Sequence, residues 1–186
     1  METFSDGVIA IIITIMVLEL RALHESSPKA LVPLIPVLLS YVLSFVFLGI
    51  YWSNHHHLIH AVKHVNGGVL WANLHLLFWL SLVPFVTAWM GENYFAPWCV
   101  ALYGMVLLFA SIAYFILTRA LISLHGRESL LARAVGRDYK GQISTVIYLV
   151  AIPLALVKSW LACALYITVA IMWLVPDRRI ERTLTE

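Results

Sequence analysis

Charge is what this sequence has least of. Asp, Glu, Lys and Arg make up 12% of its 186 residues, against about 25% in a soluble domain. That shortfall excludes an ordinary water-soluble globule. Cysteine is nearly missing as well. Cys99 and Cys163 both sit in apolar runs, and they supply neither a disulfide framework nor metal-ligand spacing. The formal net charge of +2 is too small to suggest a nucleic-acid partner. The amino end has no basic segment before its apolar run and no small-residue cleavage site after it. That run is therefore expected to be kept as a membrane span rather than removed as a signal peptide.

What fills the chain instead is hydrophobic, 62% of the residues. The length suggests one domain, and the composition an all-α integral membrane protein. A span needs about 20 residues, with roughly 17 as a lower limit. On that measure six spans are expected, at about residues 4–20, 31–60, 69–90, 96–122, 141–157 and 159–176. They form a single domain over 1–176, followed by a charged tail over 177–186. Pro33 and Pro36 lie in the first turns of the second span, where proline is best tolerated. Pro84 is expected to kink the third, and Gly91-Glu92-Asn93 to form the tight turn after it. The most polar stretch, 125–140, holds Leu130, Leu131, Ala134 and Val135 as a short interfacial amphipathic piece. From 141 to 176 the only charge is Lys158, expected to mark a hairpin at Lys158-Ser159-Trp160.

Six spans place both termini on one side. Nine Lys and Arg residues fall on that side, and three (Arg21, Lys29 and Lys158) on the other. The excess favours termini in the cytoplasm. Trp89, Tyr94, Trp98 and Trp160 lie near span ends, as interface anchors do.

Phe4-Ser5-Asp6-Gly7 opens the first span. A carboxylate facing the membrane costs about 2.5–3.5 kcal/mol on insertion scales, so Asp6 marks function or packing. At 100° per residue, Phe4, Gly7, Ile11, Thr14, Ile15 and Leu18 share one stripe. Asp6 lands nearly opposite, and Ser5 on a flank. One face is aliphatic with a single hydroxyl; the other carries polar groups that need partners inside the protein.

The second span ends in Trp52-Ser53-Asn54-His55-His56-His57-Leu58-Ile59-His60. His56 with His60, and His60 with His64, have i,i+4 spacing, which can put two imidazoles on one helix face. A zinc or di-iron membrane enzyme is therefore one reading. No Asp or Glu accompanies the cluster in the sequence, and only His75 adds a further histidine in the spans. No metal is assigned; these histidines read better as hydrogen-bonded to the first span or wet at the interface. Asn73, Ser81, Pro84 and Thr87 run along the third span at a spacing typical of interhelical hydrogen bonds. Asn73 lies at the depth of Ser5, Asp6 and His55–His57. Asp6 is expected to pair there with a histidine or with Trp52 and Asn73, fixing the rotation of the first span.

No Thr-Val-Gly-Tyr-Gly filter is present, and no acidic residue sits at the middle of a span. A pore would have to be lined by Ile11, Thr14, Ile15 and Leu18. One helix cannot enclose it, so several copies must surround an axis, with aliphatic constrictions that gate by dewetting. A secondary transporter would show inverted repeats and broken helices around midplane polar groups. No repeat is found, and Phe-Ser-Asp occurs once.

Three stretches together resemble the bacterial members of the transmembrane protein 175 potassium-channel family. They are Phe4-Ser5-Asp6-Gly7 with its Ile/Thr run, the Trp52…His55-His56 end of the second span, and Leu70-Trp71-Ala72-Asn73-Leu74 through Pro84-Phe85. Beyond the third span the match is one of hydropathy and loop placement. The resemblance implies a homotetramer of six-span subunits in a bacterial plasma membrane, with span one lining a central pore. It implies a potassium-permeable, weakly selective conductance, with no cofactor and no partner beyond itself, lipid and monovalent cations. By position, Ile11 would be the narrowest ring, Ile15 and Leu18 further rings, and Thr14 a hydroxyl layer. Ser5 and Asp6 would join His55 or His56, Trp52 and Asn73 in a buried network. The family usually carries an Arg a few residues before the Phe; the sequence starts too late to hold it, so either the start is truncated or the network lacks that cation.

Overall fold

The computed structural model describes residues 1–20, 26–62, 64–126 and 139–174. Among these every regular element is helical, the form in which an isolated apolar segment satisfies its own backbone in lipid. The helices are α1 (Glu2–Leu18), α2 (Ile35–His60), α3 (Gly67–Ser81), α4 (Val83–Glu92), α5 (Pro97–His125), α6 (Tyr139–Val157) and α7 (Ser159–Leu174). A 3-10 helix, Pro28–Leu34, leads into α2. Among the described residues four stretches are long and apolar enough to cross a membrane: Pro28–His60, Gly67–Glu92, Pro97–His125 and Tyr139–Val157.

Proline explains where the helices depart from the simple spans. Pro28, Pro33 and Pro36 each remove a backbone donor, so the approach to α2 winds as a 3-10 turn until Ile35. The third span is two helices rather than one kinked one. Pro84 lies in the first turn of α4, and Leu82 stands between α3 and α4. There the Leu82 N–H reaches back only three residues, to the Trp79 carbonyl at 3.2 Å. The turn expected at Gly91-Glu92-Asn93 comes later. Gly91 and Glu92 stay helical, and Tyr94 and Phe95 turn the chain with φ of 51° and 59°. Gly91 is needed for closeness instead. A Cβ there would stand 2.7 Å from the Val37 Cα and 2.5 Å from the Ser40 hydroxyl of α2.

The bundle is built on α5. Val100, Tyr103, Leu107, Ala110, Ala113, Leu117 and Leu121 are buried along its length, and α3, α4, α6 and α7 pack on it. Tyr166 of α7 lies over Gly104, where a Cβ would overlap its hydroxyl, and donates to the Val100 carbonyl at 3.1 Å. A second buried chain joins three helices. The Tyr103 hydroxyl donates to Ser44 Oγ (3.0 Å), Ser44 to Thr87 Oγ1 (2.6 Å), and Thr87 to the Val83 carbonyl (2.6 Å). Thr87 spends its hydrogen on that carbonyl, which sets the direction of the whole chain. Lys158 separates α6 from α7, and the two pack against each other. The amphipathic piece expected at Leu130, Leu131, Ala134 and Val135 and the tail 177–186 lie outside the described residues, as do Arg21 and Lys63.

Candidate functional site

Helix α1 packs on α2, α3 and α4 through one face only. Ser5, Ile9, Ile12 and Met16 are buried, at steps of four, three and four, the spacing of one helical stripe. On the opposite side Phe4, Gly7, Ile11, Thr14, Ile15 and Leu18 are all exposed in the single chain. Leu18 is 78% exposed and Ile11 58%. An apolar groove of about 560 Å³ runs beside this stripe, between Ile11 and Ile15 on one wall and Phe85, Ala88 and Trp89 of α4 on the other. Thr14 donates its hydroxyl hydrogen to the Ile11 carbonyl at 2.8 Å. Its oxygen therefore turns lone pairs, not a hydrogen, toward the open side.

The amino end of α1 is fastened at three separate points. The first is a buried relay. Asn73 of α3 donates from Nδ2 to Ser5 Oγ (2.9 Å), and Ser5 donates to the Met1 carbonyl (3.2 Å). Asn73 Oδ1 can only accept, so His55 Nε2 carries the hydrogen it shares at 2.7 Å. Ser5, His55 and Asn73 are almost fully buried, and among the described residues His55 Nδ1 has no hydrogen-bond partner. The second point is Trp52, whose Nε1 donates to Asp6 Oδ1 at 3.0 Å. The third joins Glu2 to two histidines, His56 Nδ1 at 3.1 Å and His60 Nε2 at 2.9 Å.

The structure thus separates groups that the sequence places in a single network. Asp6 accepts a hydrogen bond from Trp52 and, among the described residues, from neither a histidine nor Asn73. His56 turns to Glu2, while its neighbour His55, about 100° further round the helix, turns inward to Asn73. Glu2 is the acidic residue that the histidine cluster lacks in the sequence; it comes from another helix, and no pattern in the chain singled it out. The Tyr103–Ser44–Thr87 chain also escapes sequence reading, because the polar groups of α2 and α5 gave no periodic sign of their meeting. Ser81 stays local, donating to the Phe78 carbonyl at 2.7 Å.

Residues 1–84 match the family model described as endosomal/lysosomal potassium channel TMEM175. A potassium channel of Chryseobacterium sp. (strain P1-3) is 50% identical over 186 residues, which is all of this chain and 97% of that protein. A potassium channel of Chamaesiphon minutus is 28% identical over 91% of this chain and 90% of its own. The crystal structure of a lysosomal potassium-selective channel TMEM175 homolog from Chamaesiphon minutus superposes with a TM-score of 0.80 at 28% identity, covering 94% of each chain. With end-to-end similarity at that level, and with the matched segment carrying the fastened first helix, the chain belongs to the TMEM175 family.

Proposed function

We propose that four copies of this chain surround one axis, each with six spans, and that α1 of each lines the pore. The protein is a potassium channel and not an enzyme; potassium is the permeant ion and no cofactor is expected. Ile11 forms the narrowest ring, and Ile15 and Leu18 further rings. Thr14 supplies a layer of oxygen lone pairs that suits a partly dehydrated cation. The observation that carries this reading is the fixed rotation of α1. A buried relay through Ser5, Asn73 and His55 holds one face in the subunit and turns Ile11, Thr14, Ile15 and Leu18 away from it. An aliphatic ring closes a pore by making a short water column unfavourable, and it opens by widening or wetting. Closed cyclic symmetry lets one such helix per subunit enclose a path. The protein sits in a bacterial plasma membrane with both termini cytoplasmic, the side that holds nine of its Lys and Arg residues.

Planar-bilayer recording of purified protein under asymmetric KCl and NaCl tests the reading. A potassium-permeable current that rises or loses selectivity in Ile11→Asn is the expected result. An unchanged current in that variant, or a map of the assembly that puts Ile11 and Leu18 against lipid, overturns it.

A further inference from the structure

The third fastening point has the composition of a metal site. We propose that Glu2, His56 and His60 bind a divalent transition-metal ion, of which zinc is the test case, where the first turn of α1 meets the last two turns of α2. Glu2 Oε1, His56 Nδ1 and His60 Nε2 all lie within 4.8 Å of one another. The carboxylate oxygen already stands 3.1 Å and 2.9 Å from the two ring nitrogens. Bonds of about 2.0–2.2 Å to a tetrahedral ion put neighbouring ligand atoms about 3.3–3.6 Å apart. The two contacts to Glu2 therefore need only a few tenths of an ångström of opening to reach that spacing, and the two ring nitrogens lie within 4.8 Å of each other.

The donor set points to the class of ion. Two imidazoles and a carboxylate suit zinc, copper, nickel or cobalt, whereas magnesium and calcium call for oxygen ligands throughout. Three protein ligands leave a fourth position for water, as in open rather than closed zinc sites. Access is direct, since the side chains of His56, His60 and Glu2 are 38%, 56% and 33% exposed. The i,i+4 spacing of His56 and His60 sets the two rings edge to face on one side of the helix, with centroids 4.3 Å apart. Glu2 then decides whether the pair becomes a set, and it belongs to the element whose rotation the buried relay holds. Occupancy links α1 to α2 by a bond chain in place of a pair of exposed hydrogen bonds. The site stands apart from the pore reading: it requires neither a tetramer nor a conducting path.

The test is calorimetric titration of the full chain in lipid nanodiscs with zinc chloride, alongside the absorption spectrum of the cobalt(II) form. One ion per chain is expected in the unaltered protein, with the visible bands of a tetrahedral cobalt site. Loss of even an outer-sphere partner costs about 10–100-fold in affinity, so Glu2→Gln is expected to weaken binding at least about tenfold. The double variant His56→Ala/His60→Ala is expected to abolish it, while His57→Ala and His64→Ala leave it in place. Zinc is also expected to raise the unfolding temperature of the unaltered protein and not that of Glu2→Gln. Absence of binding in the unaltered protein overturns the proposal. So does equal affinity in Glu2→Gln.

Discussion

Helices α1 and α5 are both strongly apolar and sit in opposite circumstances. Helix α5 is enveloped by four neighbours, and its polar groups are spent within the subunit: Tyr103 on Ser44, Thr118 on the Tyr114 carbonyl. Helix α1 has neighbours on one side only, and its polar groups crowd its amino end. Between lipid and an apolar face there is little driving force either way, so bareness alone does not tell a pore lining from a lipid-facing helix. What separates the two helices is how rotation is set. Close packing sets it for α5, with Gly104 under Tyr166 as the tightest point. For α1 a buried stripe of Ile9, Ile12 and Met16 is joined by a few directional hydrogen bonds at the amino end, which leaves the remaining face open to another role.

The comparison can be broken from either side. The largest effect on stability is expected at Gly104→Ala, since the added carbon overlaps the Tyr166 hydroxyl. Overpacking of this kind costs about 1–3 kcal/mol. Thermal unfolding in detergent reads it, and a melting curve like that of the parent removes packing as the determinant of α5. Asn73→Ala comes next. It strands His55 Nε2 and takes the donor from Ser5, for about 1–3 kcal/mol. Its ion preference should also become heterogeneous as α1 gains rotational freedom; unimpaired stability with uniform channels shows that the relay holds nothing. Asp6→Ala loses one half-exposed bond from Trp52, worth about 1 kcal/mol or less. It should lower the yield of assembled protein more than it alters selectivity, and the reverse pattern places Asp6 at the conduction path. The smallest change in subunit stability is expected at Ile11→Asn, within about 0.5 kcal/mol as for other exposed positions. That same variant is expected to change the current most. A large stability loss with unaltered conductance reverses the roles assigned to the two faces of α1.

Much of this was legible in the chain. The division of α1 into two faces follows from the positions of Phe4, Ile11, Thr14, Ile15 and Leu18, because helical period is a local property. The interruption near Pro84 was legible for the same reason, as far as position goes; whether it kinks or splits the helix depends on Leu82 finding the Trp79 carbonyl. The histidines show the limit. Spacing put His56 and His60 on one face, but which of His55 and His56 turns inward depends on where Asn73 arrives from α3. Glu2 is 54 positions from His56 in the chain, and no local pattern could bring the two together. Gly91 looked like a turn residue because its composition suits one; its real constraint is the backbone of α2 lying against it.

The hydrogen bonds from His55 through Asn73 and Ser5 to Met1 all run in one sense. Such a row works like a key with a single tooth. Turning α1 by one residue would bring Phe4 or Asp6 to the amide of Asn73. The ring accepts no ordinary hydrogen bond, and the carboxylate would need a charge-balancing neighbour in a dry place. Intermediate settings are therefore missing from the ladder of available states. If α1 lines the proposed pore, the bore is graded in discrete steps, and an agent that alters it must either keep this tooth engaged and bend the helix beyond it, or withdraw it altogether.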